Sequence, residues 1–299
     1  VTPIKILALM LAAKQPTTFT LTQPFWWHRY RVHPANWLTE FVTAELLSIT
    51  RAPELSLQRQ TVKWLKQQLR QRQLKISGRK AELIQRLQGA MTATELAVQF
   101  PQHYYQLTST GTQLVQQNQF VLWLHQYYVA GIVDFTAASR TQLPTDLDLA
   151  ATLNWLLDAA AKQAVADWPQ RYYLTHLRFQ FAWQTQHKGT ALNALLDCIR
   201  IKLAGLVQLA PLTEAALVWP TTTYKIEPFY TYMLQQIRQE YTLSVADIVA
   251  AFDQRSSVFV LPRQLFSAAE MQQLLRWTLT AQDQKIAQLY QQKQKALLM

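Results

Sequence analysis

Apolar positions return every three or four residues along most of this chain, the spacing of helices rather than strands. Ile6 to Ala13 is a continuous apolar run that predicts a helix. An aromatic patch follows, Phe25-Trp26-Trp27-His28-Arg29-Tyr30-Arg31. Trp37, Leu38, Phe41, Val42 and Leu46 then recur at helical spacing, so a second helix is expected over Trp37 to Leu47, opened by Asn36 or Pro34. Arg51-Ala52-Pro53-Glu54 breaks that pattern.

The next pattern is double. Val62, Leu65 and Leu69 form one apolar stripe, and Lys63, Lys66 and Arg70 repeat the spacing one position later. They line a neighbouring face turned by about 100 degrees, so one face packs while the next offers cations. This helix should end near Arg72-Gln73, and Leu74 and Ile76 would plug the space before a second helix. Ser77 is the expected N-cap of that helix, and Leu83, Ile84 and Leu87 its buried side. Gly78 leaves the first turn open. Free amides there, with Arg79 and Lys80 beside them, make a phosphate site.

Tyr104 to Leu107 predicts a short strand turning into a helix from about Thr110, and Leu46 to Ile49 is its candidate partner strand. The basic pair would then be an insertion in the tip of a hairpin. The run Tyr105-x-Leu107-Thr108-x-x-Gly111 resembles the strand-to-helix step that ends many winged-helix domains. From Pro144 onward the expectation is nearly all helical: a run to Asp167, a second from Pro169 to Gln186, and a third after Gly189. Pro211 and Pro220 mark a loop, and further helices are expected at Glu227 to Tyr241, Ser244 to Asp253 and Ser267 to Lys295. No fixed repeat emerges, which favours an irregular bundle over a solenoid.

Composition changes this picture little. Of 299 residues 49% are hydrophobic and 16% charged, enough to build a core and to exclude wholesale disorder. Cys198 is the single cysteine, so no intrachain disulfide can form, and its apolar helical setting predicts an inert core thiol. Ile6 to Ala13 has the length of a secretory h-region, but the buried-helix reading is preferred. No stretch approaches the roughly 20 apolar residues of a membrane span, and a cytoplasmic setting is expected.

Charge changes it more. The net charge is +11, and Gln58 to Gln88 alone holds nine Lys or Arg against one acid, Glu82. A positive stripe that concentrated on so short a unit can dock on a polyanion. The pattern Val62-Lys63-x-Leu65-Lys66-x-x-Leu69-Arg70-x-x-x-Leu74-x-x-x-Gly78-x-Lys80-x-x-Leu83-Ile84-x-Arg86-Leu87 resembles the SAP motif. The resemblance implies a helix–extended turn–helix module that binds DNA, particularly AT-rich DNA, and sometimes RNA. It implies nucleic-acid-facing roles for Lys63, Lys66, Arg70, Ser77, Gly78, Arg79, Lys80 and Arg86. The family usually carries Gly just before Leu74, where this chain has Gln73. A left-handed cap there would cost a non-glycine residue of order 1 kcal/mol.

The expected fold is therefore mainly α. Residues 1–56 form an N-terminal helical, winged-helix-like part, 57–91 the SAP-like module, 92–143 the continuation of that N-terminal domain, and 144–299 a helical domain of no assigned function. Other signals are weaker. His28 and His33 have Arg29 and Arg31 between them, which repel a cation, so no metal site is expected. Asp146 and Asp148 sit where helix-start acids belong. The aromatic patch reads first as core, as do Trp155, Trp168, Trp183 and Trp219. No Gly-rich phosphate loop, nucleophile elbow or HExxH occurs. The expectation is a DNA-binding protein without catalysis or cofactor, in which the C-terminal helices serve a protein partner or self-association. Its alternatives are a protein–protein adaptor and a single-strand or RNA binder using Trp26, Trp27 and Tyr30.

Overall fold

The apolar run near the N-terminus folds as α1 (Pro3–Ala12), with Ile6, Leu7, Ala8, Leu9 and Ala12 almost wholly buried. It opens a computed structural model that describes residues 1–207, 226–262 and 264–298. Pro211, Pro220 and Trp219 lie outside those residues. The chain divides into two compact units, Val1–Gln126 and Tyr127–Met299, whereas the sequence reading began the helical half at 144. Among the described residues there are seventeen helices and one two-stranded sheet, and no helix is long and apolar enough to cross a membrane.

In the first unit the aromatic patch forms a short helix, α2 (Phe25–His28), and α3 (Trp37–Thr43) follows. The helix expected to reach Leu47 stops early. Glu45 turns left-handed (φ 53°), the Leu46 N–H closes back on the Phe41 carbonyl at 2.9 Å, and Leu47 starts a strand instead. That strand, β1 (Leu47–Arg51), leads into α4 (Pro53–Arg59), α5 (Val62–Gln71), α6 (Lys80–Gly89) and α7 (Ala93–Gln99) before β2 (His103–Leu107) returns. The strands pair antiparallel from Leu47↔Leu107 to Arg51↔His103. The basic helices are thus an insertion at the tip of a hairpin. The other edge of β2 is held as well: Lys14 donates to the Tyr105 carbonyl, Tyr105 to that of Gln15, and Thr17 to that of His103.

After β2, Thr108 caps α8 (Ser109–Gln117) by accepting the Gly111 N–H at 3.0 Å. Gly111 is required by close approach, since a Cβ there would stand 2.1 Å from the Leu46 carbonyl oxygen. The single helix expected from Thr110 is interrupted at Asn118, whose side chain donates to the Leu114 carbonyl, and resumes as α9 (Phe120–Gln126).

The second unit begins with α10 (Phe135–Arg140), capped by Asp134. Asp148 and Asp167 accept the amide of the residue three positions on and so start α11 (Leu149–Gln163) and α12 (Trp168–Gln184). Next comes α13 (Lys188–Leu203), buried along most of its length, with the charged Asp197 and Arg200 among its buried residues. Against it pack α12, α14 (Pro228–Tyr241) and α15 (Val245–Val258), and α16 (Ala268–Leu279) packs on α14 and α15, Leu234, Ile248 and Leu275 sharing one core. Cys198 lies in this core, and burial pushes its thiol far above the usual range. The long helix expected over Ser267 to Lys295 is two helices. Ala281 turns left-handed (φ 55°), the Gln282 N–H closes on the Trp277 carbonyl, and α17 (Asp283–Leu298) starts afresh. Trp168 and Trp183 pack on the core, but Trp155 is 42% exposed, so its reading as a core residue is corrected.

Candidate nucleic-acid interface

The module's core is small and almost entirely leucine. Leu65 and Leu69 of α5 and Leu83 and Leu87 of α6 are fully buried. Leu57 from α4, Met91 after α6 and Phe100, just beyond α7, complete the cluster, with Leu74 and Ile76 half-buried in the turn. Leu74 and Ile76 thus plug the space between the helices as the sequence predicts, while Leu57, Met91 and Phe100 come from outside the expected stripes. Val62, expected in the stripe, is 40% exposed and stands outside the cluster.

Thr61 opens α5, its hydroxyl accepting the Trp64 N–H. The helix closes in a Schellman turn: Leu74 N–H to the Leu69 carbonyl at 2.8 Å and Gln73 N–H to the Arg70 carbonyl at 3.0 Å. Gln73 therefore sits at φ 56°, the left-handed position that the family's glycine relaxes. The extended turn is then clamped from α6, where the Arg86 guanidinium donates to the carbonyls of Lys75 and Ser77.

The expected cap of the second helix is corrected. α6 starts at Lys80 with Arg79, not Ser77, as its N-cap, and the Glu82 carboxylate reaches back to the Arg79 N–H at 3.3 Å. Ser77 is exposed and makes no cap bond to that helix. Gly78 has φ +124°, and a Cβ on it would stand 2.3 Å from a Glu82 carboxylate oxygen. The helix mouth that was expected to offer free amides to a phosphate is thus partly filled by the module's own acid.

Four of the nine cations are engaged inside the unit. Arg59 donates to Gln15 and to the Lys14 carbonyl, Arg72 to Gln68, Lys80 to the Gln58 carbonyl at 2.7 Å, and Arg86 to the turn. The other five, Lys63, Lys66, Arg70, Lys75 and Arg79, make no hydrogen bond or ion pair with a described residue. Four of them belong to the expected set, and the fifth, Lys75, is a further candidate. Its position in an extended turn gave helical periodicity nothing to detect. Lys80 and Arg86 are exposed or half-exposed but partly committed to backbone carbonyls.

The aromatic patch divides. Trp26 is buried, its indole N–H on the Gln23 side chain, and Tyr30 is hydrogen-bonded to His125 Nδ1 at 2.8 Å. Trp27 is 49% exposed, stacked on His33 at 4.9 Å with Arg31 over its ring.

Residues 56–92 match the family model of the SAP domain, spanning the Leu core and the cations just described. That match supports nucleic-acid binding in general. No curated protein and no solved structure matches the chain.

Proposed function

We propose that this SAP-bearing chain is a non-catalytic DNA-binding protein that grips the sugar–phosphate backbone through its inserted basic module. The observation that carries the reading is the set of five cations without an internal partner, on helices and a turn fixed by a leucine core. Charges held in place and left unneutralised gain most from phosphates, whose condensed counterions are released on binding. A cytoplasmic setting and the absence of a cofactor belong to the same proposal.

If about five phosphates are neutralised, the logarithm of affinity falls against the logarithm of salt concentration with a slope near −4.5. Lys63→Glu with Arg79→Glu is expected to weaken duplex binding sharply and flatten that slope, while helicity and the melting temperature hold. Both side chains are exposed and outside the core, so the variant tests contact rather than folding. Unchanged duplex affinity in a fluorescence titration would remove the proposal.

A second reading, single-strand or RNA binding, rests on Trp27 alone, since Trp26 and Tyr30 are occupied. Bases stack on exposed indoles without sequence preference. Trp27→Ala lowering affinity for single strands but not for duplex favours this reading over the first. Binding to an acidic protein, persisting after nuclease treatment, favours the adaptor.

A further inference from the structure

The second unit holds a cavity of about 380 Å³ bordered by α11, α12, α13 and α15. Three guanidinium groups line it: Arg171, Arg178 and Arg255. Two carboxylates face them. Asp197, buried, takes Arg255 through both oxygens at 2.9 and 2.6 Å, and Asp158, largely exposed, pairs with Arg178. Arg171 pairs with no carboxylate among the described residues. It lies 4.3 Å over the Trp168 ring, 5.6 Å over that of Phe259, and donates to the Val165 carbonyl at 3.4 Å.

One turn beyond Asp197 along α13, Arg200 is 2% exposed, and its Nε and Nη1 find no hydrogen-bond partner among the described residues. Asp197 is thus the shared counterion of Arg255, Arg200 and Arg178, and Asp253 offsets Arg200 only from the surface. The positive charge exceeds the negative in a half-enclosed wall that also carries Leu174 and Phe259. Guanidinium forks match tetrahedral oxyanions, and a partly dry wall strengthens each contact. Thr190 and Asn193 add neutral donors to the lining. The volume falls at the lower end of small-ligand sites, enough for a phosphate with one attached group.

We propose that this cavity binds a dianionic phosphate group, carried by a small phosphorylated molecule or by the terminal phosphate of a nucleic acid. The Arg178–Asp158 pair is its adjustable edge: the anion competes with Asp158 for the same guanidinium. Arg171 and Arg178 supply the gripping forks, and Arg255 is held in place by Asp197.

The test is calorimetric titration of the full-length chain with inorganic pyrophosphate. Arg178→Gln is expected to weaken binding by about tenfold, the order of one charge-assisted hydrogen bond, and Asp158→Asn to tighten it by about threefold or more. Both side chains are partly exposed, so neither change should unfold the unit, and a melting curve of each variant checks this. Opposite shifts support the site. Absence of binding at millimolar pyrophosphate, or shifts of the two variants in the same direction, overturns it. In the Lys63→Glu/Arg79→Glu background, preference for a 5′-phosphorylated over a 5′-hydroxyl oligonucleotide identifies a nucleic-acid terminus as the source. Equal oligonucleotide binding with pyrophosphate binding retained identifies a small phosphorylated molecule.

Discussion

Gln73 and Glu82 are the two residues at which this module departs most from an unstrained, fully open site. Gln73 occupies a left-handed position at φ 56°. Gln73→Gly should stabilise the first unit by about 1 kcal/mol, read as a raised denaturant midpoint. Glu82 is the only acid among nine cations and stands at the mouth of α6. Glu82→Gln keeps a side chain able to accept from the Arg79 N–H but removes the charge, so duplex affinity should rise by about two- to fivefold at low salt. An unchanged affinity would mean that phosphate does not approach this helix end. The strain at Gln73 could be read in advance, because the motif asks for glycine there. The cap could not. Ser77-Gly78 has the composition of a helix start, and only the reach of Glu82 back to the Arg79 amide shows that the helix begins three residues later.

At the level of elements, periodicity located most of the helices, the seven-residue α3 among them, but missed α4 and α7. α4 and α7 carry two large apolar side chains each, Leu55 with Leu57 and Leu96 with Val98, too few for a stripe, although Pro53 at a helix start and the Thr92-x-x-Glu95 capping box were both present as signals. The break between α16 and α17 left no signal, since Thr280-Ala281-Gln282 contains neither Gly nor Pro and the apolar spacing continues across it. What joins α5 to α6 is also invisible in the pattern, because it is a side chain bonding to carbonyls nine and eleven residues earlier. Arg86→Ala should therefore cost about 1–2 kcal/mol in the stability of the first unit. It should also broaden amide exchange over the turn, where loss of a mere phosphate contact would change neither.

For the whole molecule, the basic module of the first unit carries five cations without a partner among the described residues, while groups shifted by burial occur in both units. Burial lowers the His176 imidazole on α12 below its ordinary value, so protonation is resisted in the folded chain and free in the unfolded one. The unfolded state then binds more protons, and stability is full above about pH 6.5 and falls as the pH drops below it. His125, lowered chiefly by burial and then by Arg29, acts in the same direction in the first unit. Further down, Asp247 and Glu95 lose their capping bonds as they protonate, having been held low by Ser244 and Thr92. His176→Phe should flatten the melting temperature between about pH 6.5 and 5, and an unaltered profile would discount the imidazole. The hairpin root of the basic module bears on a different property. A domain strung on one linker swivels freely, so whatever it holds can spin without moving its carrier. This one leaves at Arg51 and returns at His103, residues that stand opposite each other in the hairpin, with Arg59 tied back to Gln15 beside it. Torque from a rotating duplex would pass through both strands into the scaffold instead of dissipating in a slack tether.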